Sequence, residues 1–304
     1  MMTFEDIMKF DAPLNEEVYS EILDAYKRNT MIPFVGAGIS ATVGFPTWYE
    51  FLQKVYARRM AGGIVPDDLL IAASKILEYI GYADFHVEMR KFFGGMYSTK
   101  EWQSTVDKGQ NTVLPWLTRL FRGLVVTTNF DCVLENLYMT LNVCYPSNIG
   151  RLQDALIGYL PTPTLFKLHG CVSNLNDIIL TEEQYNNAYI EDATVAKVLE
   201  QIFLTKLILF LGCSLKDDYT IKLWEKVVST SCTQINHFAI VGCKDGEQQE
   251  RRRNLSNSRI RSIIYDESDH DAVRIILERL HQDAQIISER SYGENSHKSY
   301  SELL

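Results

Sequence analysis

The chain has 304 residues, 46% of them hydrophobic and 23% charged, a globular composition with ample length for a buried core. Its net charge of −9 excludes a nucleic-acid grip built on a basic surface, and no apolar run of the roughly 18 residues needed to cross a membrane is present. The acidic start, MMTFEDIMKFDAPLNEE, lacks the basic and apolar zones of a signal peptide. The six cysteines form no C-x-x-C pair, so they are expected as reduced, buried thiols of a cytoplasmic protein, with no zinc site.

In chain order, Asn15 followed by Glu16-Glu17 reads as a capped helix start, with Val18, Ile22 and Ala25 on one face. Met31-Ile32-Pro33-Phe34-Val35 reads as a strand that runs into Gly36-Ala37-Gly38-Ile39-Ser40. The two glycines permit dihedrals that a side chain forbids and leave room for a ligand to touch the backbone, as a phosphate does at exposed amides. A plain turn would look the same. The run also lacks the third glycine of G-x-G-x-x-G and the Lys and Ser/Thr of a P-loop. Thr47-Trp48-Tyr49-Glu50 fits a capping box that opens a second helix.

Residues 62–120 show no strand pattern. Two helical stretches, 66–80 and 83–93, precede a loop around Lys108-Gly109-Gln110-Asn111, and the segment reads as a helical insertion. Strands return at 124–128, 165–168, 207–211, 238–241 and 260–265, mostly separated by helical patterns, with a last helix over 272–280 after a Ser268 cap. Alternation of this kind predicts an α/β fold: a Rossmann-like parallel sheet with helices on both faces. The expected organisation is a Rossmann domain from 1–61 and 121–285, the insertion at 62–120 and a mobile tail at 286–304. Arg251-Arg252-Arg253 reads as a solvated helix face.

Ligands of such sheets bind beyond the carboxyl ends of the strands. Four exits carry small or polar residues: the glycine loop, Thr127-Thr128-Asn129-Phe130-Asp131, His169-Gly170, and Gly212-Cys213-Ser214. Asn129 and Asp131 serve equally well as turn formers or caps, and Asp217-Asp218 as an acidic helix start. His169 differs from the other five histidines in standing at a strand exit, before a glycine.

In this order the four segments resemble the sirtuin-like family: a glycine loop continued by Gly44-Phe45-Pro46, then T-x-N-x-D, L-H-G and G-x-S. The resemblance covers most of 30–282 and implies a domain that binds NAD and breaks its ribose–nicotinamide bond. It implies that Gly36, Ala37, Gly38 and Ser40 cradle the pyrophosphate and that Asp131 receives the carboxamide. Asn129 would hold the ribose or a water, His169 would be the general base, and Gly212 and Ser214 would meet the adenosine half.

Protein-deacetylating members carry two C-x-x-C pairs after the histidine and Asp-Phe-Arg after Gly-Ile-Pro. Here Thr181-Glu182-Glu183-Gln184-Tyr185 and Thr47-Trp48-Tyr49 stand instead. Both departures point to the bacterial branch that resembles antiphage NAD hydrolases. NAD is then expected as substrate, with a homo-oligomer, a HerA-type ATPase or a short Argonaute-type protein as the controlling partner, because few residues follow the core. A protein deacylase, an ADP-ribosyltransferase and a non-catalytic NAD or ADP-ribose sensor are the alternatives.

Overall fold

The computed structural model describes residues 2–60, 65–94, 112–138, 142–149, 152, 163–191, 193–215, 224 and 235–301. The expected features at Gly62-Gly63, Lys108 to Asn111, Asp217-Asp218 and Cys232 lie outside them.

Seven strands form one all-parallel sheet: β1 (Met31–Val35), β2 (Leu124–Thr127), β3 (Asn142–Cys144), β4 (Thr164–Lys167), β5 (Leu207–Leu211), β6 (His237–Cys243) and β7 (Ile260–Asp266). Their spatial order is β3-β4-β2-β1-β5-β6-β7. On one side of β1 the chain lays down β2, then β3 at the edge, then β4 between them, and crosses back to place β5 against the other edge of β1, in register from Met31–Leu207 to Val35–Leu211. Order therefore reverses beside β1, and the exits of β1, β2 and β5 stand together at the switch point.

The central strands β1 and β5 are apolar at every position because both faces are covered. Alternate residues feed two cores. Val35, Leu209 and Leu211 join one that includes Val18, Ile22, Phe51, Phe85, Leu117 and Ile276. Phe34, Ile208 and Phe210 join the other, with Val198, Leu199, Ile202 and Leu255. The first face is thus covered by α2 (Leu14–Lys27), α4 (Trp48–Arg59), α5 (Leu69–Phe93), α6 (Leu114–Leu120) and α11 (Ala272–Ser301), after the short α1 (Phe4–Lys9) and α3 (Ala37–Ala41). The second is covered by α9 (Ala193–Thr205) and α10 (Gln248–Asn257), while α7 (Val133–Tyr138) and α8 (Glu182–Asn186) follow the exits of β2 and β4.

The Thr47 capping box forms as the spacing predicts: Glu50 N–H donates to Thr47 Oγ1 at 3.3 Å and Thr47 N–H to Glu50 Oε2 at 2.8 Å. The two expected helices of 66–93 are one element broken at Gly81, whose φ of 77° is left-handed. Its second half docks on α4 through Phe51 and Phe85 and through Arg59, which holds the buried Glu88 at 2.6 Å.

Several local readings need correction. Asn15 is no cap. It is buried, donates to Ile7 O and Ile264 O, and accepts from Ile264 N, so tertiary packing claims the side chain that propensity assigned to a helix end. Ser268 bonds Asp266 rather than capping α11. Arg251-Arg252-Arg253 is not a solvated face: only Arg253 is exposed. Arg252 pairs with Asp11 at 2.5 Å, and Arg251 donates to the carbonyls of Ser214 and Leu215. Strand β3 is unforeseen, and α11 continues as helical backbone to Ser301, past the expected end near Leu280.

Candidate active site

The glycine loop comes close to another strand exit. Gly36 N–H donates to Leu211 O at 2.8 Å, and Gly38 N–H to Gly212 O at 2.9 Å. A Cβ on Gly36 would stand 2.6 Å from Gly212 O, and one on Gly38 2.9 Å from it. Gly212 in turn has φ +65°, and a Cβ there would meet Ile39 N at 2.6 Å. The glycines at the β1 and β5 exits are therefore demanded by backbone-to-backbone contact, a separate cause from any ligand. Ala37 lies half-buried at the start of α3, and Ser214 is exposed.

The β2 exit supplies side chains. Thr127 Oγ1 donates to Val35 O at 2.7 Å and accepts from Asn129 N–H at 3.1 Å, which turns Asn129 toward β1. Asn129 Nδ2 then donates to Gly36 O at 3.1 Å and to Ser40 Oγ at 3.0 Å. The Ser40 hydroxyl also hydrogen-bonds the Asp131 carboxyl group. Asn129, Ser40 and Asp131 are thus one network, all 5% exposed or less. With Nδ2 committed twice, Asn129 Oδ1 faces inward, buried, with no hydrogen-bond partner among the described residues. An orphaned amide oxygen costs about 1–3 kcal/mol, which a bound donor would recover.

The β4 exit is sewn to the β2 exit: Leu168 N–H donates to Thr127 O and Val172 N–H to Phe130 O, each at 2.9 Å. That places the His169 ring 6.2 Å from the Phe130 ring. Tyr185 Oη lies 3.1 Å from His169 Nδ1 and 3.0 Å from Nε2, so the hydroxyl sits over the edge of the imidazole between both nitrogens. Tyr189 Oη donates to Leu168 O at 2.9 Å. The structure brings Gly36, Gly38, Gly212, Ser40, Asn129 and Asp131 into one hydrogen-bonded cluster, with His169 on the adjoining β4 exit beside Phe130.

Two participants escape a motif reading. Tyr185 follows a second capping box, Thr181 with Gln184, that starts α8 and aims the ring at His169; the T-x-x-Q spacing was available as a signal. Lys167 ends β4 and is 1% exposed. Its ammonium donates to Asp131 O and, at 2.8 Å, to Glu135 Oε1. A lone lysine in the apolar run Leu165-Phe166-Lys167-Leu168 was the visible sign. Burial pushes the Lys167 pKa down, but Glu135, Cys171 and Asp131 outweigh it and hold the group charged. Burial raises Asp131 above the usual carboxylate range, against the pull of Lys167.

Among the described residues, Cys132, Glu135 and Cys171 form one group of metal-capable side chains, their ligand atoms within 4.8 Å of one another. The Lys167 ammonium already supplies the cation there.

Fold and site define a doubly wound, Rossmann-like α/β protein with a buried polar network at its topological switch point. The family model of the SIR2-like domain matches residues 123–263, which contain Asn129, Asp131, His169, Gly212 and Ser214 but not the Gly36 loop. Over that span the chain is similar to the SIR2-like domain family.

It is 23% identical over 214 residues to "Defense-associated sirtuin 2" of Bacillus subtilis, covering 68% of this chain and 20% of the relative. It is 22% identical over 223 residues to "NAD(+) hydrolase ThsA" of Bacillus cereus, covering 72% of this chain and 43% of the relative. A ThsA of Cytobacillus dafuensis matches at 22% identity, covering 66% and 39%. The chain thus spans from a fifth to less than half of these curated relatives.

Proposed function

We propose that the chain hydrolyses NAD to nicotinamide and ADP-ribose as an effector of antiphage defence. The buried, unpartnered Asn129 Oδ1 beside Ser40 and Asp131 carries this reading, because it is a fixed acceptor that lacks its donor. The names of the relatives, an NAD(+) hydrolase and a defence-associated sirtuin, agree with it.

The residues fit the nicotinamide half of NAD. Oδ1 of Asn129 would accept from a ribose hydroxyl or from the attacking water. His169 would take a proton from that oxygen as the bond to nicotinamide breaks and the ribose becomes cation-like. Asp131, whose burial favours the protonated form, would meet the carboxamide. Gly36, Ala37 and Gly38 would run along the pyrophosphate, with Ser40 aligning Asn129 and Asp131 as well. Gly212 and Ser214 would face the adenosine half. In balance, NAD and water give nicotinamide, ADP-ribose and one proton.

Incubation of the purified chain with NAD, with products separated by chromatography, tests the proposal. Nicotinamide and ADP-ribose in equal amounts, without any acceptor, are expected. Cleavage that requires an acylated peptide would make the chain a deacylase instead, and binding without turnover a sensor.

Control by assembly belongs to the same proposal. The surface proposed for it is α5, where Ile71 and Tyr79 before the Gly81 break and Tyr82 and Val87 after it are exposed. Light scattering of the wild type and of Tyr79→Asp should then differ in mass; equal masses would dismiss this face.

A further inference from the structure

We infer that Cys132 and Cys171 form a reversible, peroxide-driven disulfide that links the β2 and β4 exits and shuts the site. The two sulfurs are already 3.5 Å apart. They are brought there by the sheet: β2 and β4 are paired neighbours, and Val172 N–H bonds Phe130 O across the loops at 2.9 Å. A disulfide requires 2.03–2.05 Å, so the sulfurs must close by about 1.5 Å. Cys132 is half-buried and Cys171 fully buried, which gives one accessible and one protected sulfur.

The surroundings favour one thiolate in the pair. The hydrogen bond from Cys132 pulls the Cys171 pKa down against its burial, and the Lys167 ammonium and the Ser173 hydroxyl, 3.1 Å from Cys171 Sγ, add to it. Cys132 is pushed up, first by the shared proton and then by burial. The proton of the pair therefore stays on Cys132 and the thiolate on Cys171.

The chemistry balances with a hydroperoxide as oxidant. The thiolate on Cys171 attacks the O–O bond, forms a sulfenic acid and releases an alcohol, or water from hydrogen peroxide. Cys132 then attacks the sulfenic sulfur and expels hydroxide, which takes up the Cys132 proton to leave as water. Two thiols are oxidised and one peroxide is reduced. The closing bond draws on Asp131 and Gly170, the immediate neighbours of the two cysteines, and so displaces Asn129 and His169. A misplacement of about 1 Å in a positioned site costs roughly a hundredfold in rate. That consequence rests on the proposed NAD chemistry; the bond itself does not.

The full chain, reduced and then treated with hydrogen peroxide, is alkylated and mapped by mass spectrometry. A peptide cross-linked through Cys132 and Cys171, reversed by dithiothreitol, is expected in the wild type and in Cys144→Ala. It should be absent from Cys132→Ser. NAD turnover should fall roughly a hundredfold on oxidation of the wild type, recover on reduction, and withstand peroxide in Cys132→Ser. Free alkylated thiols, sulfinic acid without a cross-link, or an equivalent of metal shielding the pair would overturn the disulfide. A cross-link with unchanged turnover would overturn its control of the site. A cross-link in a chain that never cleaves NAD would leave the disulfide standing and remove the proposed function.

Discussion

The exits of β1 and β5 and the exits of β2 and β4 meet at one sheet edge but are built from opposite materials. The first pair is backbone against backbone: Gly36, Gly38 and Gly212 pack so closely that a single methyl has nowhere to go. The second is side chain against side chain, with Asn129, Asp131, Lys167, His169 and Tyr185 buried and Glu135 half-buried beside Lys167. The glycine half holds the loops at fixed spacing, and the polar half places functional groups within it. The prominent motif in the sequence therefore marks the frame of the site more than its chemistry.

Variants can break this division. The largest stability effect should come from Lys167→Met, which strands Glu135 and Asp131 without their cation. A loss of about 3–5 kcal/mol in denaturant unfolding is expected, with partial recovery in the double variant Lys167→Met, Glu135→Leu. A small loss would mean that the polar half is not held by Lys167. Gly36→Ala should cost about 1–3 kcal/mol through overpacking against Gly212 O, while Gly123→Ala, with open space around its Cβ, should be nearly silent. Equal melting temperatures for the two would refute the frame.

A control lies outside both halves. His237 is fully buried, and its Nδ1 accepts from Ile208 N–H at 3.0 Å. Burial drives its pKa from 6.5 to about 3. The folded state keeps this imidazole neutral while the unfolded chain takes up a proton below 6.5. Stability is therefore complete above that pH and is lost as pH falls toward 3. Between about pH 6.5 and 5 the loss should reach about 2 kcal/mol, and His237→Asn, which keeps an acceptor but does not titrate, should flatten the slope. An unchanged slope would remove His237 as the cause.

The smallest effect belongs to Tyr185→Phe. Loss of the hydroxyl over the imidazole should lower turnover about tenfold, near 1.36 kcal/mol of barrier, and shift the pH–rate profile. A fall in rate with an unmoved profile would assign Tyr185 to packing alone.

The parallel sheet was legible because its strands are continuous apolar runs separated by helical patterns, and the capping box at Thr47 was legible because its chemistry is local. β3 was not: three residues, Asn142-Val143-Cys144, at the sheet edge and two of them half-buried, leave no pattern. Asn15, Arg251 and Arg252 were misread for a common reason. Each is a polar side chain whose partners, Ile264, Ser214 and Asp11, lie far away in sequence. The site loops could be picked out by position at strand exits, but not the division of labour among them. Gly36 answers to Gly212 across 176 positions, and Tyr185 reaches His169 from a helix that only a T-x-x-Q spacing announces.

Nicotinamide release by Asn129→Ala, set beside the wild type with both shown folded by circular dichroism, tests the central claim most directly. The orphaned amide oxygen predicts turnover reduced by about 10²–10³ with cooperative unfolding retained. Release at the wild-type rate would show that this atom awaits no substrate, and would contradict the account.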